Sequence, residues 1–336
     1  MQGTVQGVGF RPFVHRLASE LRLGGFVRNQ GGDVWLEIEG QADAIAGFLG
    51  RLVAQAPPLA RVELVETEDL PVTGAREFAI RSSRSGARPE GPVAADTATC
   101  ADCLAELFDP ADRRHRYPFI NCTNCGPRFT IVLSIPYDRP NTTMAQFAMC
   151  DRCRAEYEDP GNRRFHAQPN ACPDCGPRLR LIDSSGGRPP GAAEDPARAA
   201  AETLQSGAIV AVKGLGGFHL ACRADNEEAV ARLRTGKHRE EKPFALMVAN
   251  VRRAGGLVEL GGKAAELLQS PARPIVLAPR RPDAPVAAGV APGSSDLGVM
   301  LPYSPLHHLL ASEAGGPLVM TSGNQCDEPI AYRNRE

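Results

Sequence analysis

Apolar residues recur with two different periods along this chain, and each change of period marks a change of element. Over residues 12–23, Phe13, Val14, Leu17 and Leu21 fall on one face of a helix. The next run, GFVRN, and the alternation of Val34, Leu36 and Ile38 carry the two-residue period of strands. A second helical run covers 42–53, and strands are expected near 62–65 and 78–80. The order β, α, β, β, α, β predicts a split βαβ, or ferredoxin-like, unit over residues 1–82. Only residues 3–5 precede the loop into the first helix, so the first strand is expected to be clipped.

From 196 to 336 helical and strand patterns alternate. Helices are expected at 197–205, 226–234, 263–268 and 305–311, and strands at 208–212, 244–248, 274–277 and 318–320. This alternation predicts an α/β domain with a mixed sheet. The tail AYRNRE has no capping logic and reads as a cut within a longer protein. Two stretches rich in Gly, Pro, Ser and Arg, residues 81–92 and 183–196, have linker composition and isolate a middle segment, 92–181.

That middle segment is an internal repeat. A shift of 50 residues places Cys100, Cys103, Cys122 and Cys125 on Cys150, Cys153, Cys172 and Cys175, and carries Glu106, Asp109-Pro110, Arg113-Arg114 and Gly126-Pro127-Arg128 onto their counterparts. The repeat units span about 96–131 and 146–181, a size at which small modules need a staple in place of a core. Two CxxC knuckles per unit supply four thiolates to one tetrahedral site, the pattern of structural Zn2+. His115 and His166 do not superpose in the repeat, so two locally paired four-cysteine sites are expected. The competing reading is redox-active or free thiols.

Composition narrows the classes. Lys+Arg 38 against Asp+Glu 39 gives a net charge of -1, without the basic field that holds nucleic acid. A partial aromatic and basic face, Arg113, Arg114, Arg116, Tyr117 and Phe119, keeps a zinc-ribbon nucleic-acid adaptor as a competing class. No uninterrupted apolar run of about 18 residues exists, and MQGTVQGVGF is not a secretory signal. No membrane association is therefore expected, and a cytoplasmic address is the default. Only four of the basic residues are lysines, Lys213, Lys237, Lys242 and Lys263. Against an arginine bias, a retained lysine is a candidate for work that needs a compact ammonium.

Two segments carry candidate chemistry. VQGVGFR, residues 5–11, lies between a strand and a helix whose first position is read as Pro12, so loop amides, a helix N-terminus and Arg11 form a cradle for an anion. Together with GFVRN it resembles acylphosphatase, which implies that Arg11 holds the phosphate and Asn29 orients the attacking water. KHREEKP, residues 237–243, gathers Lys237, Arg239 and Lys242 before a strand, and TSGN, residues 321–324, ends another, where open α/β sheets bind ligands. This pairing resembles the YrdC family, which binds ATP and forms a carbamoyl-type adenylate. The nucleotide or carbamate residues so implied are Lys213, Lys237, Arg239, Lys242, Ser322 and Asn324, with Gly214, Gly216 and Gly217 opening the pocket. His307 and His308 read as packing or supporting residues before metal ligands.

An acylphosphatase-like domain, tandem four-cysteine modules and a YrdC-like domain in this order resemble the HypF family of [NiFe]-hydrogenase maturation carbamoyltransferases. The stretch RRHRYPFINCTNCGPRFTI, residues 113–131, is especially close to that family. The resemblance implies a multidomain α+β chain that hydrolyses carbamoyl phosphate and uses ATP with Mg2+ to form carbamoyl adenylate. The carbamoyl group would pass to the C-terminal cysteine of HypE in cyanide-ligand synthesis, and two structural zinc ions are implied. The competing enzyme class is YrdC-like threonylcarbamoyl-adenylate synthesis for tRNA modification.

Overall fold

The structure, a computed structural model, describes residues 1–84, 92–324 and 328–334. Most of the first predicted linker lies outside them. Contacts group the chain into two compact units, Met1–Thr97 with Ile120–Pro177, and Ala98–Phe119 with Arg178–Glu336. The middle segment is thus shared between the units. Among the described residues no helix is long and apolar enough to cross a membrane.

In the first unit the chain runs β1 (Gln2–Thr4), α1 (Phe10–Glu20), β2 (Gly24–Gln30), β3 (Asp33–Glu39), α2 (Ala42–Ala54), β4 (Arg61–Leu64) and β5 (Phe78–Ile80). Helix α1 begins two residues before Pro12, which therefore sits in the first turn and not at its first position. Phe10, Phe13, Val14, Leu17 and Ala18 make one buried face on α1, and Phe48 and Leu52 of α2 join them. The helix closes through Arg22, whose left-handed backbone (φ 55°) lets the Leu23 amide reach the Ala18 carbonyl at 2.9 Å. Sequence patterning shows the strands but not their partners: β5 pairs parallel to β2, and β4 pairs antiparallel to β1. The Met1 amine and the Val34 carbonyl, 2.9 Å apart, tie the β1 edge to β3.

The two repeat units begin with equivalent helices, α3 (Ala101–Phe108) and α4 (Asp151–Glu158), each preceded directly by the first cysteine of its unit. The equivalence extends to backbone strain. Arg116 and His166, which the 50-residue shift superposes, both take left-handed conformations (φ 58° and 54°) and donate their amides to the Leu107 and Tyr157 carbonyls. Position 166 is thus a turn position, and His166 is not among the residues of the cysteine clusters.

The second unit adds α5 (Pro196–Gln205), β6 (Val210–Lys213), β7 (Phe218–Arg223), α6 (Glu227–Lys237), β8 (Ala245–Met247), α7 (Val251–Ala254), α8 (Gly262–Gln269), β9 (Val276–Pro279), β10 (Asp296–Met300), α9 (Pro305–Glu313) and β11 (Leu318–Ser322). Its six-stranded mixed sheet has the order β6-β7-β11-β8-β10-β9, with only β8 and β10 parallel. Asp195, Asn226 and Ser304 cap α5, α6 and α9 through side-chain oxygens, with Pro196 and Pro305 at the first helical positions. Strands β7 and β10 are missing from the sequence reading. Gly216 and Gly217 before β7, and Gly298 inside β10, break the apolar runs on which that reading depends.

Candidate functional site

The loop from β1 to α1 is shaped by two glycines. Gly7 and Gly9 have φ of 72° and 75°, a left-handed region that favours glycine, and Gly9 stands directly before α1. A small cavity opens against this loop, lined among others by Gly7, Arg11, Arg128, Tyr137, His166 and Gln168. Arg11 is buried in the first turn of α1. Its Nη2 donates to Asp138 Oδ1 at 2.7 Å and its Nη1 to Ser83 Oγ at 3.3 Å. The carboxylate offsets the cost of burying the guanidinium and fixes its plane. Arg128 is also buried and donates to the Gly7 carbonyl and to the Cys122 and Thr123 carbonyls at 3.1 and 2.8 Å, bracing the loop from outside. Sequence patterning marks neither Asp138 nor Arg128 as part of this site.

Asn29 stands on β2, 1% exposed, and neither its Oδ1 nor its Nδ2 has a partner among the described residues. His166, on the cavity wall, is driven down to about 4, first by burial and then by the Arg11 charge, so it is a neutral imidazole near pH 7.

Eight cysteines form two clusters, Cys100, Cys103, Cys122 and Cys125, and Cys150, Cys153, Cys172 and Cys175, with the sulfurs of each set within 4.8 Å of one another. The grouping is local to each repeat. Four sulfurs about 2.3 Å from a tetrahedral Zn2+ lie about 3.8 Å apart. The sulfur separations are 3.8 Å for Cys122–Cys125 and Cys150–Cys172, 3.7 Å for Cys172–Cys175 and 3.6 Å for Cys153–Cys175. Disulfides would need about 2.05 Å. The donor set fits zinc. At Cys150 burial raises the thiol, but hydrogen bonds from Cys153 and the neighbouring thiols outweigh it and bring it to about 7, toward the thiolate a metal binds.

In the second unit α6 ends where His238 turns left-handed (φ 48°), which throws residues 237–243 across the end of β11. Lys237 is buried, and its Nζ donates to the Ser322 carbonyl and, at 2.8 and 3.2 Å, to the Asn324 carbonyl and Oδ1. Ser322 Oγ donates to Asn324 Oδ1 at 2.6 Å. Three predicted residues are therefore knotted together at the strand end. Arg239 lies beside them, with Nη1 3.4 Å from Thr321 Oγ1 and its guanidinium 5.0 Å from the Phe244 ring centroid. Lys242 is exposed, and its ammonium has no partner among the described residues. Lys213 ends β6 and donates to Asn334 Oδ1 at 2.7 Å. Arg234, absent from the sequence reading, stacks 4.6 Å over Phe244 and holds the Arg239, Glu240 and Lys242 carbonyls, which sets the loop's shape.

Comparison with known proteins agrees with this anatomy. Residues 1–80 match the acylphosphatase family, residues 99–132 and 149–182 the HypF finger, and residues 202–336 the Sua5, YciO and YrdC family described as telomere recombination. Carbamoyltransferase HypF2 of Cupriavidus necator is 54% identical over 353 residues, covering 100% of this chain and 44% of its own length. Carbamoyltransferase HypF of Synechocystis sp. is 49% identical over 334 residues, covering 99% of this chain and 43% of its own. A crystal structure of full-length HypF in the phosphate- and nucleotide-bound form superposes with a TM-score of 0.94 at 45% identity, over 100% of this chain and 43% of that one. The chain spans less than half the length of these relatives, and over that span it belongs to the HypF carbamoyltransferase family.

Proposed function

We propose that this chain performs the two chemical steps that prepare a carbamoyl group for hydrogenase maturation, in the cytoplasm. The organisation read from the sequence supports it: an acylphosphatase-like domain over 1–82, tandem zinc modules over 92–181 and a YrdC-like domain over 196–336. In the first step, carbamoyl phosphate occupies the cradle of loop amides and Arg11, and a water oriented by Asn29 attacks phosphorus. The P–O bond to the acyl group breaks, and carbamate and inorganic phosphate result. Oriented amide dipoles and a buried guanidinium meet the charge that develops on the phosphoryl oxygens without further reorganisation. The observation that carries this step is Asn29: a buried amide with both ends unpaired among the described residues costs about 1–3 kcal/mol per group unless a ligand completes it.

In the second step ATP binds at the Lys237, Ser322 and Asn324 knot, with Arg239, Lys242 and Lys213 supplying further cationic contacts. Carbamate displaces pyrophosphate from the α-phosphorus and yields carbamoyl adenylate. Mg2+ would arrive on the nucleotide, whose phosphate oxygens are its usual ligands. Zinc in the two cysteine clusters is structural, because four thiolates leave no open position. The acceptor would be HypE, and neither a membrane nor a nucleic acid takes part. A threonylcarbamoyl-adenylate synthase or a zinc-ribbon adaptor has no use for the Arg11 loop. Carbamoyl-phosphate-dependent exchange of labelled pyrophosphate into ATP tests both steps at once; exchange driven equally by threonine and bicarbonate would overturn the assignment.

A further inference from the structure

The cavity at the Arg11 loop has two walls, both within the first unit. Residues 5–12 form one, and side chains from residues 123–168 form the other. Most polar groups of the second wall are already engaged. Gln168 accepts the Arg139 amide at 2.7 Å and the Tyr157 hydroxyl at 3.1 Å through Oε1, and its Nε2 donates to the His166 carbonyl at 2.8 Å. Arg128 directs its guanidinium to backbone carbonyls on both sides. The Thr123 and Tyr137 hydroxyls donate to the Arg163 and Pro127 carbonyls at 3.0 and 3.4 Å. His166 differs, because its ring makes no hydrogen bond among the described residues.

The imidazole is nonetheless held in place. Buried Phe165 meets it edge-on with centroids 4.6 Å apart, and Tyr157, itself fixed by Gln168, lies 5.0 Å away. The left-handed backbone of His166 (φ 54°) is closed by its amide on the Tyr157 carbonyl at 3.0 Å, which sets the direction in which the side chain leaves the turn. Burial and then the Arg11 charge keep the ring neutral near pH 7. In either tautomer a neutral imidazole carries one N–H and one bare nitrogen, so it can accept a hydrogen bond. The two repeats use this turn differently. In the first module the superposed residue is Arg116, held by Asp195 and Glu313; in the second it is a ring without a hydrogen bond on a cavity wall.

An acyl phosphate held by its phosphoryl group on Arg11 and the loop extends its acyl end toward the opposite wall. Small acyl phosphates differ there by one group. A carbamoyl end carries –NH2, which donates hydrogen bonds, whereas an acetyl end carries –CH3, which does not. A bare imidazole nitrogen pairs with the first and is left desolvated and unpaired against the second.

We propose that His166 is a specificity-determining residue of the hydrolytic site, its bare ring nitrogen accepting a hydrogen bond from the amide of the carbamoyl group. This rests on the hydrolytic reading of the first unit. It gives the second zinc module a part in substrate choice, since the turn that presents His166 lies between Cys153 and Cys172.

Phosphate release from carbamoyl phosphate and from acetyl phosphate by the 336-residue chain tests this through the ratio of the two kcat/KM values. His166→Phe keeps a ring against Phe165 and Tyr157 and removes the nitrogens. It should lower the carbamoyl-to-acetyl ratio about tenfold, the effect of one lost hydrogen bond, mainly through a higher KM for carbamoyl phosphate. His166→Asn, which a left-handed turn tolerates and whose amide oxygen accepts, should recover part of that ratio. An unchanged ratio, or equal losses on both substrates, would overturn the assignment. Where the phenylalanine variant fails to fold, the wild type labelled with 15N-histidine decides, with two phosphonates that cannot be hydrolysed. Phosphonoacetamide, which carries the amide, should move the bare His166 nitrogen resonance saturably toward the protonated range, and acetonylphosphonate, which carries a methyl group, should leave it in place. Movement by both or by neither would overturn the contact. Movement by phosphonoacetamide alone, in a wild type that releases phosphate from neither substrate, would keep the contact and overturn the hydrolytic reading.

Discussion

Arg11 illustrates how one side chain draws on both local and remote sequence. Its position in VQGVGFR is legible because glycine, a strand end and a helix start are neighbours in the chain, whereas its partner Asp138 is 127 residues away. Arg11→Ala should lower carbamoyl phosphate hydrolysis about a hundredfold or more, the effect of losing a charged clamp on a developing phosphoryl charge, with Mg-ATP affinity retained. Steady-state phosphate release and calorimetry on the same preparation check both halves. The lysines of the second unit separate in the same way. Lys242 is exposed and free to meet a ligand, so Lys242→Ala should weaken Mg-ATP binding by about 1.5–3 kcal/mol with an unchanged melting temperature. Lys237 holds the end of β11 as well, so Lys237→Ala should weaken binding and lower the melting temperature together. Exposed Lys263 on α8 is the control, and equal affinities for Lys242→Ala and Lys263→Ala would remove Lys242 from the nucleotide site.

The elements divide by how local their causes are. Helices α5, α6 and α9 were legible because cap and apolar face lie within one stretch, and the repeat was legible because the 50-residue shift aligns whole motifs. Strand β7 was not, because its identity depends on hydrogen bonds to β6 and β11 and not on its own apolar period. The cysteine clusters stand between these cases: spacing gives the ligands, while the grouping within each repeat is a matter of distance. Metal analysis in reducing buffer should find two zinc ions per chain. Cys153→Ser should lose one and keep the other, and the same holds for Cys103→Ser, since structural zinc stabilises only the module it closes. Release of both ions by either substitution would mean that the modules bind cooperatively.

Over the whole molecule, buried neutral histidines contribute to the response to acid. His166 and His308 are held near 4 and His307 near 3, in each case first by burial, against about 6.5 in the unfolded chain. The unfolded state then binds more protons between those values, so stability is fully present above about pH 6.5 and falls as the pH drops toward 4. Calorimetric melting from pH 8 to 5 should show a plateau and then a decline, and His308→Phe should make that decline shallower by one proton; an unchanged slope would mean that His308 titrates normally in the fold. By itself the sequence determined the features that neighbours in the chain set: the ferredoxin-like order, the repeated knuckles, the glycine loop with Arg11, and the family to which their succession belongs. Only the tertiary structure decided the rest. Which strands pair, that Asp138 holds Arg11, that Lys237 grips the end of β11, and that His166 lines the Arg11 cavity all depend on backbone paths that bring distant residues together. No periodicity records those paths, because each residue's own pattern is satisfied equally well by a core or by a site.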